Sequence, residues 1–485
     1  MVEAGLLDLD KDVNTYLTSW KLADNDHTKE NPVTLRALLS HTGGTTVSGF
    51  RGYANDGSIP SLVEVLNGTN DANSDKVEVD KAPGLSYRYS GGGTTIIQQA
   101  LIDQLKKPFE EIMKKWVLDP LGMDCSFFRN EKLTEEQTHQ IALGHDVHGK
   151  AIQGGYHVYP EMAATGLWTK PEDMAKFIIG VQGSLEGGKE ALLSKNLAEE
   201  MITPLLAGAY SLGFEHYSHA GDQMIGHSGS NMGYKCGIEF HRSKGFGIVL
   251  MTNGDMGYGM KLPFLRSVAV ANGWSGLVSG DYTLQEASDE VIGLFTGRYR
   301  IDVDTSLEVY VQEDVLCCEQ VGEKTRRFDY VGECTFVSQD REVMLTYDPV
   351  SQELMVDGEK LDPLAENELL ALDYVKMGKP DLVLATYGKL LQDNPAIGSG
   401  LDRKLGGLAM GLGKEGNPRL AASIMEVVLG LYPDSAIGWD MMGRFRFDLE
   451  EFDLAVEALE RALELNPKLS GSQVLLDQAK GKVNE

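Results

Sequence analysis

The sequence predicts an α+β amino-terminal domain, then a small all-β domain, then an α-helical tail. Three observations predict it. Up to about residue 273, short helix-like stretches alternate with a strand pair of antiparallel character. From 291 to 362 the chain turns to short runs rich in β-branched and aromatic residues. From 363 to 485 helical periodicity takes over, with Pro395, Pro433 and Pro467 recurring at a similar interval.

In the first segment, TLRALLSHTGG reads as a helix over Thr34–Ser40 stopped by Gly43 and Gly44. A Gly-, Asn-, Asp- and Ser-rich loop follows from Gly49 to Asp80, interrupted by the helical piece SLVEVL. Amphipathic helices are expected near Thr94–Leu105 and Pro108–Val117. In LWTKPEDMAKFI, Thr169 stands three before Glu172, a capping-box spacing, with Pro171 in the first turn. Tyr234–Phe240 and Phe246–Thr252 read as strands, the second closed by Asn253–Gly254. Residues 274–290 form a polar linker. The runs GRYRIDV, SLEVYVQ, RRFDYVG, EVMLTYD and ELMVDG, with turn residues at Asp348–Pro349 and Asp357–Gly358, predict a sandwich or barrel of about five to eight strands.

Composition excludes several function classes. The 485 residues carry a formal net charge of −28, from 72 acidic and 44 basic side chains. A field of that sign repels phosphate backbones, so no nucleic-acid partner is expected. No apolar run approaches the roughly 18 residues of a membrane span. The five cysteines are odd in number and form no Cys-x-x-Cys pair, which points to free thiols rather than a disulfide framework or zinc site. No cofactor or metal is indicated. The opening MVEAGLLDLDKDV has neither a basic n-region nor a sustained apolar stretch.

Two segments carry candidate chemistry. In GHSGSNMGYK, His227 and Gly229 form a His-x-Gly beside the strand pair, and Gly229 leaves room for a ligand to approach the backbone. In PGLSYRYSGGGTTIIQQAL, Tyr89 precedes Ser90 and three glycines at a helix mouth whose N–H groups favour an anion. Either motif alone is weak. His41 reads as a residue capping its helix, and His145, His148 and His157 as loop surface without metal-ligand spacing. Glu215, His216 and His219 fall in a predicted loop near the His-x-Gly.

Taken in order, TLRALLSHTGG, YRYSGGG, FEEIMKKWVLDPLGM, ATGLWTKPEDMAKF, GHSGSNMGYK and the strand ending in TNGD resemble the class C β-lactamase-like serine hydrolases of the β-lactamase and penicillin-binding-protein superfamily. The resemblance spans about residues 1–273. It implies a β-lactamase/transpeptidase-like domain whose site combines Ser-x-x-Lys, Tyr-x-Asn and Lys-Thr-Gly or His-x-Gly. The serine forms an acyl-enzyme, and the lysine and tyrosine move its proton. Tyr89 matches the catalytic tyrosine and His227 the head of the third motif; Gly91, Ser228, Gly229 and Ser230 would contact substrate, the Ser230 N–H as an oxyanion donor. The implied substrates are small esters, amides or peptides, and the implied setting is periplasmic or extracellular.

This chain departs from that pattern. No serine in it is followed by lysine three residues later. The expectation is therefore a domain lacking its first strands and nucleophile helix, inactive as given, with a missing cleft wall and Tyr89 left a neutral phenol. Gly91 replaces an amide that orients acylamino substrates, and His227 replaces a fixed positive charge. Both substitutions lean away from β-lactam turnover and towards an esterase or D-amino-acid peptidase. The tail resembles tetratricopeptide repeats, best in the last unit, where Trp439, Met442–Gly443, Ala455, Leu459, Ala462 and Pro467 match the repeat pattern. That implies an alternative function, a non-catalytic scaffold binding a protein or peptide partner.

Overall fold

The computed structural model describes residues 1–188, 191–206, 210–219, 222–274, 282–339, 343–398, 400–414, 416–467 and 469–483. The chain forms two compact units, Met1–Val278 and Ser279–Glu485.

The first unit holds a four-stranded antiparallel sheet in sequential order: Glu215–His219, Asp222–Asn231, Tyr234–His241 and Gly247–Thr252. The expected strand pair is the last half of this sheet, and His227 lies inside a strand rather than ahead of one. Glu215 and His216 likewise belong to a strand, not a loop; the side chain of His219 lies outside the described residues. Alternation along Asp222–Asn231 sends Ile225 to one face, against Ile178, Val181 and Leu185 of helix Pro171–Glu186. Met224 goes to the other, against Leu265 and Ala269 of helix Lys261–Asn272. Helix Pro171–Glu186 begins with proline as expected, but no capping box forms. Thr169 lies one residue before the N-cap, Lys170, and its hydroxyl is instead 2.7 Å from Ser126 Oγ.

Helix Gly91–Leu105 is the spine of a second core with Leu17, Leu38, Leu66 and Ala100. Its Gly92 packs so tightly that a Cβ would stand 2.7 Å from the Thr46 carbonyl oxygen. Gln98 fastens it to the next layer, donating to the Pro160 carbonyl at 2.9 Å and accepting from the Ala163 N–H at 2.9 Å.

In the second unit, among the described residues, nine antiparallel strands between Gly297 and Pro363 run as a meander, and the last strand, Asp362–Pro363, returns to pair with the first. That exceeds the five to eight expected, because two-residue strands at the end are too short to give a pattern. Glu313–Asp314 and Asp357–Gly358 turn with both residues at positive φ, the hairpin geometry that follows the sheet's twist. Of the predicted linker, residues 275–281 lie outside the described residues, and Asp289–Phe295 is helical.

Among the described residues, seven α-helices follow between Ala371 and Val483, with a 3-10 turn at Pro395–Gly398. From Leu401 on, consecutive helices pack side by side, and small residues sit where they touch. A Cβ on Gly443 would meet Leu459 Cγ at 2.5 Å, and Ala455, Leu459 and Ala462 are fully buried. Asp304 joins sheet to helices, accepting from Tyr387 Oη at 2.8 Å and pairing with Lys404 Nζ at 2.6 Å.

Candidate active site

Tyr89 and His227, 138 residues apart in the chain, stand side by side, with ring centroids 6.2 Å apart. Tyr89 is half-exposed. It reaches this place because Ser90 caps helix Gly91–Leu105 from an extended conformation, its Oγ accepting from the Gly93 N–H at 2.9 Å.

The helix mouth is not the anion site the glycines imply. The Gly91 N–H donates to Ser48 O at 3.1 Å and the Gly92 N–H to Val47 O at 2.9 Å, so with Gly93 the first three donors are already used. Gly91 itself is buried against the Ser48 carbonyl and the Phe50 ring rather than facing a ligand. Gly229 also serves another purpose than the expected one. A Cβ there would lie 2.5 Å from Cys236 Sγ, so the space it leaves is filled by the neighbouring strand's thiol.

Strand pairing fixes where the backbone of the third motif points. Asn231 and Tyr234 face each other across the two-residue loop Met232–Gly233, and odd positions of this strand pair inward to Tyr234–His241. The N–H groups of Ser228 and Ser230 therefore project from the opposite edge. The outer strand covers that edge only as far as Gly226, which faces Glu215. The His227 Nδ1–H donates to the Ser228 carbonyl at 2.6 Å, so Nε2 is the ring nitrogen left for another partner.

His41 belongs to this group, which its position at a helix end concealed. Its backbone takes the left-handed conformation, φ 55°, and turns the ring inward. The ring is buried, 4.2 Å from Tyr89 by centroids, and Nδ1 accepts the Ser90 N–H at 3.1 Å. Burial, and next the neighbouring His227, lower its pKa to about 4. A neutral ring cannot complement a helix dipole as a cation, so the capping role does not hold. His41 instead braces Tyr89 by stacking against it and holding the next backbone N–H.

Tyr87 and Tyr210 complete the aromatic group. Tyr210 lies 4.6 Å from His41, 5.9 Å from His227 and 5.8 Å from Tyr87 by centroids. Burial, then the charge of Glu215, raises the Tyr89 pKa, so it is a neutral phenol. On the sheet's other face Lys261 Nζ lies 3.3 Å from Ser228 Oγ and pairs with the buried Glu239 at 2.7 Å. No local pattern marks Tyr210 or Lys261, which reach the motif only through the fold.

Two of the three histidines read as surface meet backbone carbonyls. His145 Nδ1 lies 3.0 Å from the Asn253 carbonyl and His157 Nδ1 3.1 Å from that of Arg51. Among the described residues no three His, Cys, Asp or Glu side chains group as metal ligands, and no helix is long and apolar enough to cross a membrane. A groove lined by Leu6, Asp10, Lys11, Arg36 and Glu200 shares none of the site residues; its Arg36 is held by Asp10 and Glu200, both at 2.6 Å.

No curated protein matches the chain. Among solved structures it is similar to the octameric penicillin-binding protein homologue from Pyrococcus abyssi. The identity is 21%, with 74% of this chain and 83% of that one covered, at a TM-score of 0.46. It is also similar to a penicillin-binding protein from Bacillus halodurans, at 18% identity, 55% and 79% coverage and a TM-score of 0.44. A third is the D-amino acid amidase from Ochrobactrum anthropi SV3, at 19% identity, 56% and 79% coverage and a TM-score of 0.45. The family profile Beta-lactamase matches residues 1–266, more than half of the sequence, and the chain belongs to the Beta-lactamase family.

Proposed function

We propose that the Tyr89–His227 cleft is an acyl-compound site of the esterase or D-amino-acid peptidase type. In this reading the chain binds small esters, amides or peptides but does not form an acyl-enzyme with its own residues. One observation carries this: Tyr89 and His227 meet at 6.2 Å beside the strand edge from which the Ser230 N–H projects. A phenol, an imidazole acceptor and a backbone donor around one point suit a carbonyl that gains negative charge. What the arrangement lacks is a nucleophile and a cation beside Tyr89. A phenol raised by burial is no base at neutral pH without one. No Ser-x-x-Lys exists in the 485 residues, so turnover needs that pair from residues outside this sequence.

A fluorophosphonate probe and a labelled penicillin test the proposal. The purified chain should stay unlabelled by both. Stoichiometric labelling of one serine in the present chain would overturn the reading.

We further propose that the carboxy-terminal helices are tetratricopeptide-like and bind a protein or peptide. The fit of Gly443 against Leu459 and the burial of Ala455 and Ala462 support the repeat. A peptide-array screen with the whole chain tests the binding; absence of any saturable ligand would remove it.

A further inference from the structure

We infer that Tyr210 is a ligand-contacting residue of the cleft, its hydroxyl donating a hydrogen bond to an oxygen acceptor of the bound acyl compound. The inference rests on the proposed acyl-binding reading and adds to it a side-chain donor that none of the sequence motifs contains.

The side chain is 2% exposed, and its hydroxyl has no hydrogen-bond partner among the described residues. Buried hydroxyls are nearly always satisfied, because an unpaired one loses its water without replacement. A tyrosine serving structure alone would be paired, or phenylalanine would serve as well. The ring is not adrift in a core of aliphatic residues. Its neighbours are His41, Tyr87, Tyr89 and His227, the aromatic group of the cleft. Its backbone bridges to Glu215, the residue opposite Gly226, where the outer strand stops covering the His227 strand. Tyr210 thus stands beside the edge from which the Ser228 and Ser230 N–H groups project.

The chemistry of the group narrows what it takes. Burial first, then the neighbouring Tyr89 phenol, raises its pKa far above the ordinary phenol. It stays protonated at every physiological pH and offers a neutral O–H. A carbonyl oxygen of an ester, amide or peptide suits such a donor, and the flanking rings suit an apolar or aromatic acyl group.

The test uses the whole chain, the Tyr210→Phe variant, and N-acetyl-D-phenylalanine amide as a neutral probe. Titration calorimetry reads binding and thermal denaturation reads stability. Removing an unpaired buried hydroxyl should leave the melting temperature unchanged or raised. The same change should weaken binding roughly two- to tenfold, the worth of one neutral hydrogen bond. Tyr310→Phe, on strand Ser306–Gln312 of the second unit, should bind as the wild type does. Tyr210→Phe with a lowered melting temperature and unchanged binding would make the hydroxyl structural and overturn the inference. Wild-type binding that Tyr210→Phe leaves intact overturns this inference alone. Absence of binding by the wild-type chain overturns the acyl-binding reading, and this inference with it.

Discussion

Glu161 gives the sharpest test of how the first unit is held together. Its side chain is fully buried, and neither carboxyl oxygen meets a donor with hydrogen-bond geometry among the described residues. Burial raises its pKa from 4.5 to about 7, offset in part by its own backbone N–H. At about 1.4 kcal/mol for each pH unit, the gap amounts to ~3 kcal/mol. The sign follows from proton counting. Between pH 4.5 and 7 the unfolded chain has released a proton that the folded chain keeps, so stability falls as pH rises through this window and levels off above it. Tyr53 and Tyr159, whose pKa values are raised by burial, stay neutral throughout. Glu161→Gln keeps the shape and cannot ionise. It should match the wild type near pH 5 and exceed it by up to ~3 kcal/mol at pH 8. Urea unfolding followed by tryptophan fluorescence measures this, since Trp20, Trp116, Trp168 and Trp274 all lie in the first unit. Parallel profiles for the two proteins from pH 5 to 8, or a variant weaker at pH 8, would refute the reasoning.

Two further substitutions probe the second unit. Asp304→Ala removes the acceptor of the buried Tyr387 hydroxyl and should cost about 1–3 kcal/mol by thermal denaturation; Tyr387→Phe in the same background should recover most of that loss. Gly443→Ala places a methyl 2.5 Å from Leu459 Cγ and should destabilise the helices by about 1–3 kcal/mol, read by circular dichroism, whereas Gly481→Ala, with open space around its Cβ position, should not.

The sequence carried the elements whose signals are local. Thr34 and Ser61 cap the short helices that follow them, Pro171 opens its helix, and Asp357–Gly358 makes the turn its residues demand. What stayed hidden depends on contacts between distant residues. Three glycines at a helix mouth look like an anion site until Ser48 and Val47 are seen to occupy the N–H groups. Gly229 looks like room for a ligand until Cys236 fills the space. His41 sits where a helix ends, and only its positive φ and the Ser90 N–H reveal that its ring braces Tyr89. Tyr210 belongs to no motif, and its unpaired hydroxyl exists only in the folded chain.

In the proposed site, Tyr89, His227, Tyr210 and the Ser230 backbone gather around an acyl carbonyl. A crystal structure of the whole chain with N-acetyl-D-phenylalanine amide tests it most directly. The expected result is a carbonyl oxygen of the ligand within hydrogen-bond reach of Tyr210 Oη or the Ser230 N–H, with its ring against Tyr87 or Tyr89. A ligand bound elsewhere on the chain, with those donors facing only solvent, would contradict it.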